Sequence, residues 1–171
     1  RRFGKTSLAR YTLEFMNLPF IEFNFVLSKT AKSVEKKILE GIQHLLSETI
    51  GNQDNLLSRI VSFFARSQKN WGIGLKGLAY LEITPENERN IPDNILTALN
   101  LLESILSEHN KKVVVFMDEM QALHELEDRE AIQGAIREFA QQSKQVVFIF
   151  SGSNRRILHA MFDDKSMPLY E

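Results

Sequence analysis

Val113-Val114-Val115-Phe116-Met117-Asp118-Glu119 is the stretch on which the fold turns. Five successive apolar residues, with β-branched ones in the lead, read as a strand buried on both faces. Such strands are typical of parallel sheets covered by helices. The run stops abruptly at two carboxylates. In open α/β sheets, ligands bind beyond the carboxyl ends of the strands, so an acid pair at that end is a candidate site. Taken alone, two acids at a strand end are more simply solvated.

Working outward, Val146-Val147-Phe148-Ile149-Phe150 is a second fully apolar strand, followed by Ser151-Gly152-Ser153-Asn154. A helix at about 128–143 lies between the two, with Ile132, Ala135, Ile136, Phe139 and Ala140 inward. Before Val113, Ile95, Leu96, Leu99, Leu102, Ile105 and Leu106 make the clearest helical stripe, opened by Pro92-Asp93. Further back, Phe20 to Phe25 alternates as a strand that continues into Val26-Leu27, and a polar turn leads to Ser33 as a cap. Helices are expected at about 34–50 and 54–68. The segment 71–83 reads as a β-hairpin or an irregular insertion. A first helix, after Ser7 and through about Met16, would place Leu8, Tyr11, Thr12 and Phe15 on its inner side, and a last one spans about 155–162. The alternation of helices with apolar strands predicts one α/β domain, a parallel sheet flanked by helices in three α/β/α layers.

With 171 residues, 43% hydrophobic and 25% charged, the chain has the balance of one globular domain. A formal net charge of -1 gives no whole-domain field toward nucleic acid or anionic membrane. The absence of cysteine removes disulfides, thiolate metal sites and Cys nucleophiles, and fits a cytoplasmic location. No apolar stretch reaches the ~20 residues that span a bilayer. The four histidines, His44, His109, His124 and His159, lack metal-ligand spacing. Trp71 with Tyr80 lacks the basic cluster that a nucleic-acid stacking face would have.

The acid pair acquires meaning from Arg1-Arg2-Phe3-Gly4-Lys5-Thr6, which fits the last six positions of G-x-x-x-x-G-K-[ST]. In such a loop the backbone N–H groups, here of Arg2, Phe3, Gly4, Lys5, Thr6 and Ser7, cradle phosphate oxygens. Gly4 lets the backbone approach them, and Lys5 brings a point charge to the β- and γ-phosphates. The Thr6 hydroxyl is a hard oxygen ligand for Mg²⁺, and the helix N-terminus favours the anion. The first glycine would lie two residues before Arg1. Asp118 would then sit near the same Mg²⁺, and Glu119 would orient a water. Ser151, Ser153 or Asn154 could reach between the γ-phosphate and that water, although Ser153 and Asn154 also suit helix capping. Gln121 could assist the water or relay the state of the nucleotide. Arg155 and Arg156 read more simply as a surface pair than as phosphate sensors.

Arg1 to Leu8, Val115 to Gln121 and Phe148 to Arg156, with the tail Met161 to Tyr170, together resemble the prokaryotic (archaeal-type) ATPases of the AAA+/STAND group. That resemblance implies an additional-strand P-loop NTPase core with Mg-ATP at the strand tips. Lys5 and Thr6 would match the Walker A residues, Asp118 and Glu119 the Walker B pair, and Ser153 or Asn154 the sensor. It also implies a first strand before Arg1 and a helical lid and winged-helix region after Glu171, the latter a possible route to a protein partner, DNA or oligomerisation. ATP hydrolysis driving a conformational switch is the leading expectation. A nucleotide-dependent interaction module that seldom hydrolyses is the alternative, and a small-molecule kinase is third.

Overall fold

The computed structural model describes residues 4–51, 72–73, 79–80, 90–163 and 169. Arg2, Phe3, Trp71 and the helix expected at 54–68 lie outside them.

Strands β1 (Phe20–Asn24), β4 (Val113–Asp118) and β5 (Val146–Phe150) form one parallel sheet in the order β1-β4-β5. A separate antiparallel pair, β2 (Gly72–Ile73) with β3 (Ala79–Tyr80), falls within the segment read as a hairpin. The helices are α1 (Lys5–Phe15), α2 (Ala31–Ile50), α3 (Ile91–Glu108), α4 (Arg129–Gln142) and α5 (Arg155–Asp163), with a 3-10 helix at Met120–Glu125. Every residue of β4 is buried, so both faces of this central strand are covered, as its unbroken apolar run requires. β5 is different: it is an edge strand among the described residues, and Val147 is 57% exposed.

The register aligns the strand ends. Asn24 pairs with Asp118, and Phe150 with Met117, so the carboxyl ends of all three strands meet at one edge of the sheet. The core stripe of α3 is buried at Ile95, Leu99, Leu102, Ile105 and Leu106. α2 contributes Val34, Ile38, Ile42, Leu45 and Leu46, and α4 contributes Ile132, Ile136 and Phe139. Phe139, Phe148, Phe150 and Phe162 continue as a chain of ring contacts from α4 across β5 to α5, at centroid separations of 5.8, 5.5 and 5.3 Å.

Three local expectations are corrected. The strand at Phe20 stops at Asn24, whose Oδ1 accepts from the Val26 amide and turns the chain; Val26 and Leu27 are exposed. α2 begins three residues early because Thr30, not Ser33, is its cap. Thr30 Oγ1 accepts from Ser33 N and Ser33 Oγ accepts from Thr30 N, both at 3.2 Å. On α1, Leu8, Tyr11 and Phe15 are exposed and Leu13 is the buried residue. Besides its contacts at the amino-terminal end, the helix is held by Leu13 and by the Arg10–Glu22 ion pair to β1, and Tyr11 stacks on Phe15 at its exposed side.

Candidate nucleotide site

The site grows from the ends of β4 and β5. Ser151 N donates to Met117 O (2.8 Å) and Met120 N donates to Ser151 O (2.9 Å), so the first residue past β5 is stitched to the end of β4 and to the turn after it. Between these bonds Glu119 takes the left-handed conformation, φ 56 and ψ 42. A non-glycine residue there is uncommon and costs about 1–3 kcal/mol unless its surroundings enforce it. The turn directs Glu119 away from the buried strand and toward the loop after β5.

Asp118 is 3% exposed. Its Oδ2 accepts from Thr6 Oγ1 at 2.8 Å and its Oδ1 accepts from Ser151 Oγ. Thr6 and Asp118 are 112 positions apart in the chain, so this contact is a statement about the fold. Lys5 reaches the same place: its ammonium donates to the Gly152 carbonyl on the loop after β5. Gly4, immediately before α1, has φ 69, a conformation glycine adopts without penalty, and its carbonyl accepts from Leu8 N at 2.7 Å. Ser7 is exposed beside them. Next to this cluster, Arg10 grips Glu22, and the carboxylate makes the guanidinium more basic than usual, first by hydrogen bonding and then by charge.

The Glu119 carboxylate is bound on one oxygen only. Oε2 accepts from Ser153 Oγ (2.9 Å), Ser153 N (3.3 Å) and Gln121 Nε2. No hydrogen bond to Oε1 is made among the described residues. The three polar residues after β5 therefore divide. Ser151 serves Asp118, Ser153 serves Glu119, and Asn154 caps α5 through Oδ1, which accepts from Ile157 N at 3.3 Å. Arg155 and Arg156 are exposed at the start of α5. Gly152 carried no expected role, yet a Cβ there would stand 2.3 Å from Gln121 Oε1. A lone glycine between two serines at a strand end was the available signal.

The donor set suits a hard divalent cation. Asp118 is buried, its protein donors are two hydroxyls, and no ion pair to it forms among the described residues. A buried carboxylate without a cation is costly, and Mg²⁺ favours one or two carboxylate or hydroxyl oxygens together with phosphate. Thr6 and Asp118 would hold such an ion.

A parallel sheet flanked by helices, with the lysine and threonine of a Gly-Lys-Thr turn against an acid-ended central strand, defines a P-loop nucleoside triphosphatase fold. The description "KAP family P-loop domain" matches residues 3–166, and the chain belongs to that family. In structure the chain is similar to a Walker-type ATPase of Pyrococcus abyssi, with a TM-score of 0.56 and 17% identity. That likeness takes in 99% of this chain and 43% of the archaeal protein, so this chain spans less than half of that protein's length. No curated protein matches the chain. Among the described residues no helix is long and apolar enough to cross a membrane.

Proposed function

We propose that this domain binds ATP with Mg²⁺ and hydrolyses it, and that the cycle works as a conformational switch. The carrying observation is the convergence of Lys5 and Thr6 with Asp118 and Glu119 at one end of the sheet, sealed by the 2.8 Å Thr6–Asp118 bond. Backbone amides of Arg2 to Ser7 receive phosphate oxygens at the start of α1, and Lys5 exchanges the Gly152 carbonyl for phosphate. Thr6 and Asp118 hold the ion, which when bound neutralises charge on the transferring phosphoryl group. Glu119, fixed through Oε2, offers Oε1 to orient a water and take its proton. Ser153 is the sensor, because its hydroxyl and amide touch the acid that handles water. Little covalent chemistry falls to the protein, and positioning with electrostatics does most of the work.

The likeness of its motifs to the AAA+/STAND archaeal-type ATPases supports ATP as the nucleotide and a cytoplasmic setting. It also supports a strand ahead of Arg1 and a lid and winged-helix region downstream, through which a protein or DNA partner or oligomerisation would be controlled. The open edge of β5 suits the strand ahead of Arg1. A second reading, an interaction module that binds nucleotide and seldom hydrolyses it, is favoured by the three donors already crowding Glu119 Oε2.

Phosphate release from Mg-ATP by the full-length protein separates the two. The first reading expects steady turnover that Lys5→Ala and Glu119→Gln both abolish, with ATP still bound by Glu119→Gln. Turnover that survives Glu119→Gln contradicts the assignment, and tight binding without turnover in the unaltered protein favours the second reading.

A further inference from the structure

We propose that Gln121 is the positioning residue for Glu119, setting which carboxylate oxygen faces the cleft and linking that choice to the loop that Lys5 touches. The inference rests on the hydrolytic reading above. Gln121 is the second residue of the 3-10 helix that follows the left-handed turn at Glu119. Its Nε2 donates both to Glu119 Oε2 and to Ser153 Oγ, the latter at 3.1 Å. The orientation of the amide is dictated by chemistry. An ionised carboxylate only accepts, so a flipped amide would set oxygen against oxygen.

The other end of the amide carries the argument further. Gln121 Oε1 is buried and has no hydrogen-bond partner among the described residues. A buried acceptor left unpaired is costly, and a glutamine in a half-exposed turn has water available by a simple rotation. The side chain is held inward by its two bonds from Nε2, with Oε1 lodged against the Cα of Gly152. A Cβ on residue 152 would lie 2.3 Å from that oxygen and 3.1 Å from Leu158 Cδ1. Glycine is thus the residue that admits the amide. The carbonyl of the same Gly152 accepts the Lys5 ammonium. A single short loop therefore touches the phosphate-loop lysine through Gly152 O, Gln121 through Gly152 Cα, and Glu119 through Ser153. Gln121 closes this circuit without contacting the cleft where the phosphates would lie, so its removal should alter turnover and leave nucleotide affinity alone.

The test uses full-length protein, Mg-ATP hydrolysis at steady state and in single turnover, and equilibrium titration with a fluorescent ATP analogue. Gln121→Leu removes the donor and keeps an apolar side chain against Gly152. It should lower kcat about 10-fold or more, the range for one hydrogen bond to a charged group, while KM and the analogue Kd stay within about twofold. Gly152→Ala, which displaces the amide from the other side, should lower kcat in the same direction. The loss should fall on kcat with Tm unchanged, because the effect of Gln121 passes through the Glu119 carboxylate. A purely structural role would lower Tm and would raise KM and Kd along with the fall in kcat. A loss of kcat that comes only with a lowered Tm, wild-type kcat in Gln121→Leu, or a matching rise in KM and Kd would each overturn the inference while leaving the hydrolytic reading intact. Full turnover by Glu119→Gln, or none by the unaltered protein, would overturn that reading and this inference together.

Discussion

Gly41→Ala is the substitution whose outcome tests the packing beneath the site most sharply, because two opposing effects can be weighed. Gly41 lies inside α2, where alanine is favoured over glycine by about 1 kcal/mol. Against this, an added Cβ would stand 2.1 and 2.7 Å from two ring carbons of Phe23 and 3.3 Å from Ile21 Cγ1. Carbon atoms rest at about 3.5–4.0 Å, so the ring or the helix must retreat by roughly 1.4 Å. Phe23 is 1% exposed and lies beside Phe25 at a centroid separation of 6.3 Å, so its ring moves only by displacing core neighbours. Overpacking of this kind costs about 1–3 kcal/mol, and a rigid ring puts it near the top of that range. The net expectation is a loss of about 1–2 kcal/mol. For a domain of this size that lowers Tm by about 2–8 °C. Urea unfolding followed by circular dichroism, with an unchanged m-value, is the assay. Since Phe23 pairs with Met117, one residue before Asp118, the strain also reaches the strand that carries the acid pair. Stability equal to or above that of the unaltered protein would show that α2 does not lie on β1 as described.

Asn94→Ala strips the buried Glu35 carboxylate of the donor it has on Oε1, while Oε2 already has none among the described residues; unfolding experiments should show a loss of about 2–3 kcal/mol. Replacing both partners by leucine should recover most of it, because no unpaired polar group then remains. Gln133 is fully buried with both amide atoms unpartnered among the described residues, so Gln133→Met should raise stability by about 1 kcal/mol, seen as a higher urea midpoint; a loss would mean that the amide has a buried water or other partner.

The elements legible in the sequence were those in which burial alone sets the pattern. β4 showed itself because a strand covered on both faces has no polar position, and the α3 stripe because one helical face meets the core throughout. The meeting of Thr6 with Asp118 followed from motif order. What escaped was set by backbone geometry or by neighbours. The stripe on α1 satisfied helical spacing, yet only Leu13 is buried, since periodicity names a face without saying that anything covers it. The Thr30 cap was missed because serine stands at the position where a capping box usually shows Glu or Gln. The division of labour among Ser151, Ser153 and Asn154 depends on the left-handed turn at Glu119, which a non-glycine residue does not advertise. The exposure of Val147 depends on β5 being an edge, a property of strand order that the strand's own residues do not carry.

One measurement bears most directly on the shared pocket. The full-length protein is crystallised with Mn²⁺ and a non-hydrolysable ATP analogue, and the metal is located by its anomalous scattering. The account predicts a single peak about 2.0–2.3 Å from Thr6 Oγ1, on the Asp118 side, with Lys5 moved from Gly152 onto the phosphates. A metal and triphosphate bound away from Thr6, with the Thr6–Asp118 contact undisturbed, would contradict it.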